Sequence, residues 1–514
     1  MRALAPFREQ HAREVALAAV CAVLFLTFLD NTIVSVALAG IQSSLGSSVS
    51  GLQWIVDGYM LAFAALMLTG GTLGDLFGRK KVMLAGVGVF CAGSIVAALA
   101  ESTGVLIAAR IVMGVGAAAS EPGTLSLIRH IYPEREERAV ALGAWAAVSG
   151  LALSLGPVIG GVLVGGGNWT WIFWFSLGFG AVALALAAIT LTESSDPEGR
   201  RLDVAGLVTG AAAVVAATFA VIEGENGGYG RWWIVALFAV ALVLVAVFVL
   251  VEQRVPDPVL KLHFLRNPTF AAANVVAFAA NLSVFSVFFF TALYLQLISD
   301  FSGYQIALVF VFLAVAMIVA GPLAGQWTAR AGPRIPMVLG CALAGLGLFL
   351  VNWKLTATTS VGALAWPLGI AGLGFGIALV TMTAAVLTLV PAEQSGMAAS
   401  TVNTSRELGG VFGVAVLGSV VNAQLTSGLT HKLVGLGIPE TFRRIVIQVV
   451  TTGGSTNPAD YPAAKGNEKI VLKVLAAAQE YAGRGVHLSL EIAGGIVLAA
   501  AVVALLAARQ TPRP

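Results

Sequence analysis

Fourteen separate stretches of this chain stay mainly apolar for about 20 residues or more. They lie at approximately 14–38, 52–71, 82–100, 104–128, 139–165, 169–191, 203–223, 232–252, 270–297, 304–328, 335–353, 361–390, 397–422 and 486–508. At a rise of 1.5 Å per residue, each is long enough as a helix to cross the roughly 30 Å hydrocarbon core of a bilayer. Lipid offers no partner to backbone N–H and C=O groups, so runs of this kind span as helices. The fold class expected is an all-α polytopic membrane protein with 14 transmembrane helices. Composition closes the soluble alternative: only 11% of the residues are charged and 58% are hydrophobic, with mean hydropathy +0.91. A water-soluble domain carries roughly a quarter charged residues. The net charge of +3 is too small for a nucleic-acid binder, which needs a basic stripe. Cys21, Cys91 and Cys341 stand far apart inside apolar runs and read as packed thiols.

Basic residues orient the spans. With the N-terminus inside, eighteen of the 29 Lys and Arg fall in inside segments, against two, Arg231 and Lys354, in the short outside loops. Both termini are then cytoplasmic, and the basic start (Arg2, Arg8, Arg13) leads into a run long enough to remain as the first span. The stretch 423–485 is the longest extramembrane piece; its turn-rich middle, Gly453–Pro458, and helical-looking flank, Ile470–Tyr481, fit a small external hairpin or lid. Faint internal echoes relate spans 1–6 to spans 9–14. Pro133-Glu134 after span 4 matches Pro391-Ala392-Glu393 after span 12, and Gly71-Thr72-Leu73-Gly74 matches Gly321-Pro322-Leu323-Ala324. This divides the chain into a six-helix bundle at 1–191, two inserted helices with linkers at 192–268, and a second six-helix bundle at 269–514 that includes the loop 423–485. Two such bundles around a midplane site are a common solution to alternating access.

Charges inside spans need partners. Arg110 in span 4 and Asp30 in span 1 lie at similar depth, roughly 9–12 Å below the outer surface, so Asp30 is the natural partner. Glu121 follows Arg110 by eleven residues and faces the same side of the helix, with Gly114, Ala117 and Ala118 between them. That stripe fits a cavity wall, or alternatively close helix packing. Asp57, flanked by Trp54 and Tyr59, is either an acid solvated at the interface or part of a site for an organic cation. Arg406 and Glu407 are neighbours in mid-span 13 and face different ways, so each requires its own partner. His487 and Glu491 fit a solvated pair, and Trp169, Trp171 and Trp174 an interfacial aromatic belt.

The loop Gly71-Thr72-Leu73-Gly74-Asp75-Leu76-Phe77-Gly78-Arg79-Lys80-Lys81 resembles the signature loop of the major facilitator superfamily. Its glycines allow a tight turn, Asp75 can cap or pair across bundles, and its basic cluster suits an anionic leaflet. Span 4, with Arg110, Met113, Gly114 and Gly116, is similar to a second motif of that superfamily, with Met113 where Gln is more usual. Gly156-Pro157-Val158-Ile159-Gly160-Gly161 resembles the motif of its exporting antiporters, with Ala152 in place of an expected glycine. This motif reads as a bendable helix at the bundle seam. Trp169-Thr170-Trp171, Asp203-Val204-Ala205-Gly206, Asn267-Pro268-Thr269-Phe270, Tyr294-Leu295-Gln296 and Asn403–Gly410 look like the fourteen-helix drug:proton antiporters. The acids Asp30 and Asp57 match positions that quaternary-ammonium exporters use for coupling or cation recognition. Span 10 lacks the acid some polyspecific relatives carry there, which disfavours dicationic substrates.

The resemblance implies the major facilitator fold and a proton-coupled exporter of hydrophobic, cationic drugs or antibiotics. Asp30 and Arg110 would couple protons; Asp57, Glu121, Trp54, Tyr59, Glu407 and Arg406 would bind substrate. Gly71, Asp75, Gly78, Arg79, Gly156, Pro157, Gly160 and Gly161 would gate. The expected setting is a bacterial cytoplasmic membrane, with a monomer, small-molecule substrate, protons and lipid as the participants. No cofactor or metal is expected beyond the proton gradient: no P-loop, His/Cys cluster or serine elbow occurs, and no enzyme activity follows. A dedicated exporter of one endogenous metabolite or self-made antibiotic is the second expectation, and a non-transporting membrane receptor a remote third.

Overall fold

The computed structural model describes residues 5–47, 49–165, 168–195, 203–256, 258, 260–299, 301, 303–391, 394–435, 440, 443 and 468–508. Among these residues there is no strand, and 14 helices are long and apolar enough to cross a membrane. They are α1 (Ala5–Ile33), α3 (Val49–Phe77), α4 (Arg79–Ala98), α5 (Thr103–Ile131), α6 (Arg135–Gly165), α7 (Trp171–Thr190), α8 (Val204–Gly227) and α9 (Trp232–Glu252), followed by six more. Those are α10 (Pro268–Leu297), α11 (Gly303–Ala331), α12 (Arg334–Lys354), α13 (Val361–Leu389), α14 (Ser395–Gly435) and α15 (Glu468–Ala507). A short helix that hydropathy alone does not reveal, α2 (Leu38–Leu45), follows α1 through a 3-10 turn.

Local chemistry sets several of the helix starts. Asp203 accepts the Gly206 N–H at 2.8 Å, Ser360 accepts the Ala363 N–H at 3.3 Å, and Asn267 accepts the Thr269 N–H at 3.0 Å just ahead of Pro268. Each side-chain oxygen satisfies an N–H that the first helical turn leaves unpaired, and proline suits the first helical position because its missing N–H is not needed there.

Helix packing repeats between the two parts of the chain. In the first six spans α5 packs on α3 and α4, while α1 packs on α5, α6 and α7, and α4 on α7. Among the last six, α13 packs on α11 and α12, α10 on α13, α14 and α15, and α12 on α15. The partners correspond one for one. Two related seams join these groups, α6 against α11 and α3 against α14, and α8 lies over the second seam, touching both α3 and α14. α9 packs on α8 and buries only Ile234, Ala241 and Glu252, as a helix facing lipid does.

The α6/α11 seam depends on missing side chains. A Cβ added at Gly143 would stand 2.6 Å from the Gly321 carbonyl carbon, inside van der Waals contact. The backbones therefore touch directly, which is how small residues tighten helix pairs in lipid.

Two expectations change. α14 runs past the expected end at 422 as far as Gly435, and α15 begins at Glu468, far before 486. The extensions hold together through Leu429, Leu433, Val474 and Ala478. A narrow apolar seam keeps both helical, while the polar outer face (Asn422, Gln424, Thr426, Lys432) hides the segment from a hydropathy count. The turn-rich middle, Gly453–Pro458, lies outside the described residues. Trp171 and Trp174 are exposed as an aromatic belt, but Trp169 is buried and donates to Ser44 Oγ at 3.1 Å, pinning α2.

Gly143→Ala should destabilise the protein by about 1–3 kcal/mol, the usual effect of overpacking. Gly88→Ala, where the new Cβ meets nothing within 4 Å, should be neutral or stabilise by up to about 1 kcal/mol. Thermal unfolding in detergent measures both, and the two signs should differ.

Candidate functional site

Arg110 and Asp30 meet. Arg110 Nη1 donates to Asp30 Oδ2, and Nε donates to the Ile55 carbonyl at 2.9 Å. The guanidinium also lies over the Tyr59 ring, 4.4 Å from its centroid, and the Tyr59 hydroxyl donates to the Thr27 carbonyl at 3.0 Å. Both charged residues are 1% exposed, and Asp30 Oδ1 has no hydrogen bond. α1, α3 and α5 thus hold one ion pair in the interior of a single bundle. A buried pair is tolerable only when such further bonds satisfy it.

Tyr59 is therefore committed to Arg110. Trp54 turns toward α8, donating through Nε1 to Glu223 Oε1 at 3.1 Å and packing its ring 5.3 Å from Phe219. Trp54 and Tyr59 thus do not join Asp57 in one site, because residues 54 and 59 leave α3 toward different neighbours. Asp57 is partly buried and lies within electrostatic reach of Glu223. The small-residue stripe on α5 also departs from a cavity wall. A Cβ on Gly114 would stand 2.5 Å from the Tyr59 carbonyl oxygen, and one on Gly70 would collide with Ala118. The stripe is the packing surface for α3.

Glu121 is fully buried, and neither carboxylate oxygen has a hydrogen-bond partner. It lies within electrostatic reach of Arg406 and Glu407, each 1% exposed, on α14 of the opposite bundle. Asn281 on α10 donates to the Arg406 carbonyl at 2.9 Å, and Glu407 Oε1 is unbonded.

The signature loop is tighter than its glycines imply. α3 ends at Phe77 and α4 starts at Arg79, so Gly78 alone makes the turn, with φ at 107°, while Gly71 and Gly74 lie inside α3. A Cβ at Gly78 would come within 2.7 Å of the Glu193 carboxylate, which accepts the Lys80 and Lys81 N–H groups at the start of α4. Only part of the basic cluster is free for a leaflet. Arg79 is buried against Asp75, with Nη2 2.8 Å from Oδ1, and Lys80 Nζ bonds the Ala188 and Leu191 carbonyls at 2.7 Å. Lys81 is exposed. Asp75 Oδ2 accepts the Met397 N–H at 3.1 Å, reaching the first turn of α14 in the other bundle, where an anion is favoured.

α6 continues unbroken through Gly156-Pro157. Proline supplies no N–H, so the Leu153 carbonyl loses its helical partner, and the Thr32 hydroxyl donates to it at 3.0 Å. A Cβ at Gly156 would strike Thr32, and one at Gly160 would stand 2.8 Å from the Ile33 carbonyl oxygen. The motif therefore docks α6 on α1 within one bundle instead of forming the seam between bundles, and Gly161 faces open space. Asn352 bridges the expected His487 and Glu491 pair, contacting them at 2.6 and 3.1 Å.

Hydropathy and charge counting miss Arg129, which reads only as a loop cation. Its Nη1 and Nη2 donate to the Leu387 and Val390 carbonyls at 2.6 and 2.9 Å, closing the C-terminal end of α13 from the opposite bundle. Glu223, Phe28 and Trp145 are also missed, since nothing local distinguishes them from span residues.

The Asp75 and Arg129 contacts hold the bundles together at the end that carries the basic loops. Hydrogen bonds to charged groups are worth about 1.5–3 kcal/mol each, so removing both should shift an opening equilibrium by more than about tenfold. In Asp75→Ala/Arg129→Ala, a cysteine introduced by Thr328→Cys, now 4% exposed near that end, should react with a water-soluble maleimide at least about tenfold faster. An unchanged rate contradicts the role of these contacts.

A sequence model of the Major Facilitator Superfamily matches residues 20–414. The chain is 33% identical over 438 residues to the multidrug resistance protein Stp of Mycobacterium tuberculosis, covering 85% of this chain and 80% of that protein. It is 35% identical over 406 residues to a methylenomycin A resistance protein of Streptomyces coelicolor, covering 78% and 84%. With a tetracenomycin C resistance and export protein of Streptomyces glaucescens the identity is 29% over 499 residues, covering 96% and 92%. Its fold is similar to that of the proton:xylose symporter XylE, with a TM-score of 0.61 at 11% identity, covering 96% of this chain and 95% of the other. A human organic anion transporter, TETRAN, gives a TM-score of 0.60 at 15% identity, covering 96% and 99%. This multi-pass chain, with 14 apolar helices among its described residues, belongs to the major facilitator superfamily.

Proposed function

We propose that the protein is a proton-coupled exporter of hydrophobic, cationic drugs or antibiotics, acting as a monomer in a bacterial cytoplasmic membrane with both termini inside. The names of its relatives, for multidrug resistance and for resistance to or export of single antibiotics, support drugs or antibiotics as the cargo. The distribution of Lys and Arg supports the orientation. One observation carries the coupling: the Asp30–Arg110 pair is sealed inside a bundle, and Asp30 Oδ1 is left without a hydrogen bond. A carboxylate so placed can take up a proton without rearranging its neighbours. Protonation removes the negative charge opposite Arg110, which then keeps only the Ile55 carbonyl and the Tyr59 ring. The ion pair that ties α1 to α5 weakens, and the balance between inward-open and outward-open states shifts by the difference in proton affinity between them. The proton gradient is the sole energy source in this scheme, with no cofactor. At the opposite end from the basic loops, Asp57 and Glu223 place negative charge beside Trp54 and Phe219, an arrangement that attracts an organic cation. A second reading, export of one self-made antibiotic, is favoured by the single-compound names of two relatives.

Asp30→Asn should abolish pH-gradient-driven efflux of a cationic dye from inverted vesicles while the protein still purifies as a monodisperse species. Asn keeps an acceptor for Arg110, so the loss of stability should stay below the roughly 3–5 kcal/mol of a broken buried pair. Gradient-driven efflux retained at the wild-type rate would remove Asp30 from the coupling role.

A further inference from the structure

The scheme above gives no task to Arg406, a guanidinium buried where two bundles meet. From α14 it reaches into a box built by the other bundle. Its guanidinium carbon is 5.3 Å from the Phe28 ring centroid and 5.1 Å from the Trp145 ring centroid. Both rings, on α1 and α6, are among the largest fully buried side chains. The indole is fixed in place: Trp145 Nε1 donates to Thr124 Oγ1 at 3.0 Å, and the Thr124 hydroxyl donates to the Glu121 carbonyl at 2.6 Å. The Glu121 carboxylate, at 0% exposure, has no hydrogen bond on either oxygen although Arg406 is close enough to act on it electrostatically. Within its own bundle Arg406 lies within electrostatic reach of Glu407 but is not tightly hydrogen-bonded. Its Nη1 contact to Asn403 Oδ1 is long, 3.3 Å, and its Nε is unbonded.

Two aromatic faces beside an uncommitted carboxylate make a receptor for an organic cation, and a planar, weakly hydrated guanidinium is a good mimic of one. A buried carboxyl group left without hydrogen bonds is unfavourable, and a cationic ligand supplies the partner that it lacks. We infer that Phe28, Trp145 and Glu121 form the subsite for the planar cationic group of the transported compound, and that Arg406 occupies it as a built-in stand-in when cargo is absent. This rests on the exporter reading. Because the box and Arg406 belong to opposite bundles, a cation that enters must expel Arg406 and thereby release one bundle from the other. Cargo then changes the balance of states through a contact it replaces.

Equilibrium binding without a gradient tests this. The purified full-length protein in nanodiscs is titrated with ethidium, a planar cation, and read by fluorescence. Arg406→Gln removes the internal competitor and should tighten ethidium binding about tenfold, since apparent affinity scales with the fraction of molecules whose box is free. Adding Trp145→Leu or Glu121→Gln to that variant should cancel the gain. Ethylguanidinium should compete with ethidium in Arg406→Gln and have far less effect on the wild type. Should Arg406→Gln fail to fold, Arg406→Lys, which keeps the charge but loses the planar fork, should still tighten binding about threefold by the same argument. Binding that is absent, unchanged or weaker in these variants overturns the inference, as does a gain that survives Trp145→Leu. Failure of gradient-driven efflux together with the expected binding pattern would instead overturn the exporter reading and leave the box intact.

Discussion

A charge placed inside hydrocarbon must be answered by the protein itself, and the arrangement of this molecule follows from where those answers come from. Arg110 is answered within one bundle, by a carboxylate, a backbone carbonyl and a ring. Arg406 is answered across the two bundles, by rings and by an acid that does not bond it directly. The first arrangement can survive a relative motion of the bundles, since all its members move together. The second cannot. In the proposed scheme that contrast sets a proton-sensitive pair inside one bundle against a displaceable cation at the junction between bundles.

The junction is closed most firmly at one end. Asp75 reaches the first turn of α14, Arg129 reaches the last carbonyls of α13, and the glycine backbones of α6 and α11 touch. Each contact joins a side chain or backbone of one bundle to a helix terminus or backbone of the other, where unpaired N–H and C=O groups are available. These hydrogen bonds are local to one end, so a difference in ligand affinity between states acts against them there.

Much of this architecture could be read in the sequence because lipid imposes a single, strong rule on length and polarity. Fourteen apolar runs correspond to the fourteen long helices among the described residues, and helix packing repeats between spans 1–6 and spans 9–14. Similar depth made Asp30 the candidate partner of Arg110, and the structure brings the two into contact. What stayed hidden depends on which faces meet. Trp54 bonds Glu223 only because α8 covers the α3/α14 seam, and no local pattern encodes that neighbour. Arg79 turns inward to Asp75 although its sequence context is that of a leaflet-facing cation. Phe28 and Trp145 look like ordinary span residues until Arg406 is seen between them. The length of α14 was missed because its extension beyond 422 is stabilised by a narrow seam with α15 instead of by overall hydropathy.

In the proposed scheme a proton on Asp30 and a cargo cation in the Phe28–Trp145–Glu121 box are linked through the arrangement of the bundles, each favouring a state that the other disfavours. The most direct measurement of that linkage is proton release from the purified protein in weakly buffered solution when a cationic dye is added without any gradient. Proton release should saturate with dye binding, and dye affinity should weaken as pH falls. Dye binding with no proton release and no dependence on pH would contradict it.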